Sequence, residues 1–471
     1  MARTLTQLIS WIGTVFVVRK LDSHAVGLFG IALVAYNFLS MLYDGTLTET
    51  LVQRYPADER ERRAVFSALL CVGILTTAVM CVLSIIVASL VHEPAVTPLA
   101  MSLSAALMLT SLTVLPHAKL LRTMEFGRLA VIASLQAALT TATTVALAAF
   151  GAGVWSLALG MIAGIAVRVV ALNVAAPAIL RPTLDLAGTW GHIRFGGVLL
   201  ADNLLWRWYV SLDTFLLGRW VGATSLGFYS LAQQVADLPL EKISTIVNDV
   251  SLPAYAELSK DRGNAAQLML ETIRTHATIG FALFWGLAAV APVVVPLLFG
   301  ARWDAAILPL MALATVAPLR LIGSVETPAM TGIGKPTTLL RSKLVVAPAM
   351  TVALVLGAGL GGVDGVALAW VLAFPVSYAV AFRPILRAIG ISYSAVLQAI
   401  RGPAAAAGLM ALAVYGSGRL WLEDCVAPVL ALGLEIALGV LVYGVVLGVL
   451  DRNSFELARA RAARLVGLVP K

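Results

Sequence analysis

Charge is what this chain has least of. Only 12% of its 471 residues are Asp, Glu, Lys or Arg, against 60% hydrophobic, and the mean hydropathy is +0.93. Soluble domains carry about 25% charged residues, so a water-soluble globular protein is excluded. Cysteine is almost missing as well. Cys71, Cys81 and Cys425 are too few and too far apart for a disulfide framework or a metal site, and the first two read as small residues within one apolar span. No loop cradles a nucleotide: GIGKP at 332–336 lacks the leading glycine and has Pro336 where a Mg²⁺-binding Ser or Thr belongs, so it reads as a turn. His24, His92, His117, His192 and His276 stand singly near segment ends, with no pair at metal spacing. There is no Gly-x-Ser-x-Gly elbow and no long external loop to house an enzyme site. Neither an enzyme nor a resident cofactor or metal is expected. The net charge of +8 is scattered over short loops, which argues against nucleic acid as a partner.

What is there is one apolar run after another. Helices are expected at about 4–18, 26–50, 64–90, 95–115, 128–149, 153–179, 197–217, 225–250, 276–299, 304–329, 337–359, 363–382, 402–418 and 426–449, fourteen in all. The first reads as a helix shortened by a late start codon, because no small-residue cleavage site follows it. The longest polar stretches, 54–63 and about 253–275, leave no room for a soluble domain. Lys and Arg are distributed unequally: the gaps after even-numbered helices and the tail hold 23, the odd gaps only 5. That asymmetry places the even gaps and both termini in the cytoplasm.

The chain is organised around residues 198–239. The first half of this stretch is long enough to cross a bilayer, yet it carries Asp202, Arg207 and Asp213. A charge near the bilayer centre costs about 2.5–3.5 kcal/mol on insertion scales and usually faces a bundle interior or water. At about 100° per residue Asp202, Trp206, Tyr209 and Asp213 share one narrow stripe, with Asn203 and Arg207 on its flank. Leu204, Leu205, Trp208, Leu212, Phe215 and Leu216 fall opposite. The expectation is a membrane helix with a wet face. Elsewhere Asp44, Arg168, Asp237 and Arg320 lie inside apolar helices, each either a buried ion pair or part of a transport path. Trp206, Trp208 and Tyr209 read as packing residues or as a stacking surface for a sugar ring.

The same stretch repeats the start of the chain. A shift of 200 residues places Arg19 on Arg219, Gly27 on Gly227, Ala32 on Ala232 and Tyr55 on Tyr255, and Asn37 falls on Asp237. A weaker echo at a larger offset links 124–129 with 330–339 and 151–159 with 361–369. Two homologous halves follow from this series, as is common among transporters, whose sites lie between such halves.

The runs VRKLDSHAVGLFGIALV (18–34), GRWVGATSLGFYSLAQQVADLP (218–239), SLPAYAEL (251–258), LFGARWDAA (298–306) and MTGIGKP (330–336) resemble the polysaccharide transporter family, the Wzx-type flippases of the multidrug/oligosaccharidyl-lipid/polysaccharide exporter superfamily. The likeness is to the exopolysaccharide branch that handles colanic-acid- or amylovoran-like repeat units. It covers about residues 10–390 and is most specific at 227–232. The chain departs from the pattern in its short basic lead and in Trp206-Arg207-Trp208. The resemblance implies an all-α polytopic membrane protein of about 14 transmembrane helices: a six-helix lobe at 1–190, a second at 191–390, and two extra helices with a basic tail at 391–471. It implies a bacterial inner-membrane carrier that moves undecaprenyl-diphosphate-linked oligosaccharide repeat units outward by alternating access. Its partners are that lipid-linked oligosaccharide, membrane lipids and the polysaccharide polymerase machinery. On this reading Arg207, Arg168 and Arg320, with Trp206 and Tyr209, bind substrate, since a diphosphate needs cations to cross hydrocarbon. Asp202, Asp44 and Asp237 then couple transport to inward H⁺ or Na⁺. Two other classes stay open: a small-solute antiporter of the same superfamily, which the deep arginines disfavour, and a membrane polysaccharide polymerase or ligase, which the short external gaps disfavour.

Overall fold

The computed structural model describes residues 2–53, 55–56, 58–183, 204, 207–208, 210–257, 262–335, 337–418, 427–452 and 454–456, and these are mostly helical with no strand among them. In lipid every backbone N–H and C=O must be satisfied within its own segment, which is why an apolar chain of this kind becomes helices. Among the described residues, nine helices are long and apolar enough to cross a membrane, or ten if one bent pair counts as a single span. The chain divides into two compact units, Met1–Ser230 and Leu231–Lys471.

The first unit begins with α1 (Ala2–Lys20) and α2 (Ser23–Met41), which runs through a π-helical turn at Leu42–Leu47 into α3 (Thr48–Gln53). Asp22 starts α2 by accepting a hydrogen bond from the Ala25 N–H at 2.8 Å, and Asp58 starts α4 (Glu59–Val91) in the same way through Glu61 at 2.7 Å. These caps satisfy donors that the first helical turn cannot. The fourth span does not stop at residue 115 as expected. It continues through a 41° bend, from α5 (Val96–Ser111) into α6 (Val114–Arg122). Leu112 and Thr113 tighten into i−3 hydrogen bonds at the bend, and Pro116, three residues into α6, removes the N–H that would have held it straight. Helices α7 (Phe126–Ala149) and α8 (Trp155–Ala175) complete the unit's antiparallel pairs.

The second unit repeats this plan in its own backbone. After α9 (Ala223–Glu257), whose first turns belong to the first unit, come α10 (Arg262–Phe299), α11 (Ile307–Gly323) and the short α12 (Glu326–Gly332). The interruption between α11 and α12, with Pro328 three residues into α12, matches the one between α5 and α6. Both short helices end on a left-handed residue, Met124 (φ 55°) and Gly334 (φ 74°), closed by the same pair of hydrogen bonds. Helix α13 (Thr337–Ile389) contains the two helices expected at 337–359 and 363–382, joined at Gly362. There φ is 55° and ψ −129°, a conformation open in practice to glycine alone. Two further helices follow, α14 (Tyr393–Ser417), capped by Ser392, and α15 (Pro428–Leu450). Large apolar side chains left exposed along α4, α13 and α15, among them Ile74, Val82, Leu372, Val376, Val429 and Val440, mark the lipid-facing surface.

One contact in the first unit has a symmetry of its own. The opening turns of α2 and α9 pack backbone on backbone, so that a Cβ added to Gly27 would lie 1.8 Å from the Ala223 carbonyl oxygen. One added to Gly227 would lie 1.8 Å from the Ser23 carbonyl oxygen. Gly30 meets Ser230 beside them. Each pair (23 and 223, 27 and 227, 30 and 230) is related by the shift of 200 seen in the sequence. Residue i touching j while j's equivalent touches i's is the signature of a local two-fold axis.

Candidate functional site

Among the described residues, two polar places hold charges that stood out in the sequence, one in each unit. In the first, Tyr36 of α2, Thr110 of α5, Thr113 at the bend, Gln136 and Thr140 of α7 and Arg168 of α8 surround a cavity of about 260 Å³. Helical spacing puts Gln136 and Thr140 on one face of α7, and the bend after Ser111 turns Thr113 toward the same space. Arg168 thus stands half-buried, in the middle of an apolar helix, at the wall of a space large enough for water or a small anionic group. Its hydroxyl and amide neighbours are the donors and acceptors that a phosphate or a sugar would use.

The second place is an ion pair. Arg320, in the last turn of α11, donates from Nη1 to Asp237 Oδ1 of α9 at 2.7 Å, and the two side chains are 16% and 23% exposed. The apolar packing creates the pair. Leu240 and Ile243 of α9 rest on Phe284, Ala317 and Leu321, which brings the face carrying Asp237 onto Arg320. The guanidinium also lies over the Trp370 ring, 5.4 Å from its centre. Trp370 begins a ladder with Phe374, Tyr378 and Phe382, one ring per helical turn, with centres 5.2–5.6 Å apart. Arg320 is therefore held from two sides, by a carboxylate and by an aromatic face, each a partner that a planar guanidinium suits.

The remaining sequence-based positions fare differently. Arg207 is half-buried and Trp208 is half-exposed, while Asp202, Trp206 and Tyr209 lie outside the described residues. Asp44 falls in the π-helical turn Leu42–Leu47, and its side chain is likewise outside the described residues. Asp213 corrects the expected wet face. It is fully buried, accepting hydrogen bonds from the Tyr229 hydroxyl at 2.6 Å and the Thr214 N–H at 2.7 Å. The tyrosine of the Gly-Phe-Tyr-Ser-Leu-Ala run is its partner, so this acid clasps the 210–220 helix to α9 instead of facing water. Leu212 and Leu216, expected on the opposite side, are buried as well. Sequence reading missed Gln136, which carries no charge to stand out in an apolar run. It also missed that Arg320 and Asp237 are one unit, since 83 residues separate them.

Known proteins agree with this architecture. A family model described as polysaccharide biosynthesis protein matches residues 16–308. The chain is 27% identical over 379 residues to the lipopolysaccharide biosynthesis protein WzxC of Escherichia coli (strain K12), covering 78% of this chain and 76% of that protein. It is 25% identical over 488 aligned positions to the succinoglycan biosynthesis transport protein ExoT of Rhizobium meliloti (strain 1021), covering 98% and 97%. Among solved structures, the lipid II flippase MurJ in its inward closed conformation superposes with a TM-score of 0.78 over 96% of this chain and 99% of that one. At 14% identity that likeness concerns the fold. With more than half its length matched by the family model, this multi-pass membrane chain belongs to the polysaccharide biosynthesis protein family.

Proposed function

We propose that the protein moves a lipid-linked oligosaccharide, joined to its polyprenyl tail through a diphosphate, from the cytoplasmic to the outer leaflet of the bacterial inner membrane by alternating access. The observation that carries this reading is Arg168 at the wall of a polar cavity inside otherwise apolar helices. A diphosphate loses its hydration when it leaves the leaflet surface, and a guanidinium fork restores hydrogen bonds to its oxygens. The similarity to WzxC and ExoT, proteins of lipopolysaccharide and succinoglycan biosynthesis, and to the fold of the lipid II flippase MurJ supports the same substrate class.

Arg320 supplies the second cation, with a condition attached. It already holds Asp237, so a phosphate that engages it must displace that carboxylate. Asp237, left without its partner, then takes up H⁺ or Na⁺, and this exchange couples ion entry to export. Arg207 joins the substrate path, with Trp206 and Tyr209 as stacking surfaces, and Asp44 and Asp202 are further coupling positions. The lobes run over 1–190 and 191–390, with 391–471 added to them as two helices and a tail, which makes fourteen spans. The polymerase machinery receives the product. Cells stripped of this protein should accumulate the lipid-linked precursor in the cytoplasmic leaflet and make no external polymer. Undiminished polymer would contradict the assignment.

Both termini are cytoplasmic on this reading, from the unequal share of Lys and Arg. A reporter active only in the cytoplasm should work when fused after Arg63, Lys260 or Arg387 and fail after Glu93 or Gly361. The inverse pattern would overturn the orientation.

A further inference from the structure

Helix α13 carries a feature that the transport path does not use. Leu372, Val376 and Val380 are 60%, 66% and 47% exposed, and they lead along one helix face to Arg383 and Arg387. At about 100° per residue these five positions span only about 80° of the helix surface. The two arginines line a notch of about 330 Å³ together with Tyr393 of α14, and its apolar floor is Leu386 and Ile391. Tyr393 donates its hydroxyl to the Ala379 carbonyl, so it turns its ring to the notch wall.

The stretch of chain that forms this place is poor in acids. No Asp or Glu occurs in the sequence between Asp364 and Glu423. Arg383 and Arg387 are exposed and have no carboxylate partner among the described residues. A third cation lies close by: Lys335 donates from Nζ to the Ala388 carbonyl at 3.1 Å. One phosphate between two guanidinium forks four residues apart satisfies both.

We propose that this notch retains an anionic phospholipid, its phosphate on Arg383 and Arg387 and one acyl chain along Val380, Val376 and Leu372. The stripe is what decides between a lipid and a free phosphate. A soluble anion gains nothing from three exposed apolar side chains aligned beneath the arginines, whereas a phospholipid covers them and presents its headgroup at the level where the span ends. Basic pockets at the ends of spans, next to the apolar bilayer, recognise anionic headgroups on this principle. The site belongs to the second unit alone, and the argument holds whichever way the chain is oriented.

The test uses the full-length protein in mild detergent, titrated with phosphatidylglycerol and phosphatidylcholine of matched chains and followed by native mass spectrometry. The wild type should retain phosphatidylglycerol about tenfold or more in preference to phosphatidylcholine. In Arg383→Gln with Arg387→Gln the preference should fall to parity, whereas Arg341→Gln, which removes an exposed charge from the start of the same helix, should leave it intact. Arg383→Lys with Arg387→Lys keeps the charge and should give an intermediate preference, which covers the case of a Gln variant that fails to fold. Inorganic phosphate in millimolar excess should not displace the lipid. An unchanged preference in the Gln variant, or displacement of the lipid by inorganic phosphate, would overturn the proposal.

Discussion

Joining Gly30 and Ser230 through a disulfide should stop transport, and reduction should restore it. A Cβ built on Gly30 lies 3.9 Å from the Ser230 Cβ, within the span of about 3.5–4.5 Å that disulfides require. The bond would weld α2 to α9 in their third turns, one turn beyond the place where Gly27 meets the Ala223 carbonyl and Gly227 the Ser23 carbonyl. Those turns follow Arg19-Lys20 and Arg219, in gaps that lie outside on the proposed orientation. If the protein works by alternating access, this contact closes the outer side and must part for release. Cys71, Cys81 and Cys425 have to be replaced first, because Cys71 is exposed and would compete for pairing. Gly30→Cys and Ser230→Cys singly should transport, since a thiol at either place needs only a small shift of the other side chain. Full activity in a chain shown to be cross-linked would mean that the contact never opens.

The second large effect concerns Asp237. Asp237→Ala should destabilise the protein by about 3–5 kcal/mol, because it leaves the Arg320 cation without its carboxylate in a place with little water. The side-chain exposures of 16% and 23% make this a pair that solvent relieves only in part. Arg320→Ala alone strands the acid instead and should also cost stability. The double variant should recover stability, measured by thermal unfolding in detergent, since the desolvation of both charges disappears together. Transport separates the two meanings of the pair. A stable but inactive double variant places the pair in the transport cycle, and a stable, active one reduces it to a structural tie.

Much of the fold was legible because its causes are local. Apolar runs marked the spans, and two glycine-rich gaps marked turns; the break at Gly362 fell between the two helices expected there. The bend between Ser111 and Val114 was not foreseen, because its apolar pattern continues unbroken and only Pro116 hints at it. Helical periodicity put Asp213 on a face expected to be wet and could not say what covers it. Tyr229, 16 residues on and across a turn, decides it. The cavity at Arg168 was anticipated only as a lone cation. Its threonines and Gln136 come from two other stretches, 110–113 and 136–140, and no window of sequence brings both to Arg168. Pairing of Arg320 with Asp237 is likewise a product of how Leu240 and Ile243 pack. Charges stand out in an apolar sequence, but their partners are chosen by tertiary packing.

Leaflet-selective measurement tests the central claim most directly. The protein is reconstituted into vesicles holding a fluorescent lipid-diphosphate oligosaccharide, and a membrane-impermeant reagent that destroys the fluorophore is added outside. With the protein present and an ion gradient imposed, nearly all of the label should become accessible, against only the outer-leaflet share in empty vesicles. Arg168→Ala, folded and inserted, should behave like the empty vesicles. If the wild type leaves the inner-leaflet label protected with or without the gradient, or if the Arg168 variant moves it at the wild-type rate, transport of a diphosphate-linked sugar through the cavity at Arg168 is contradicted.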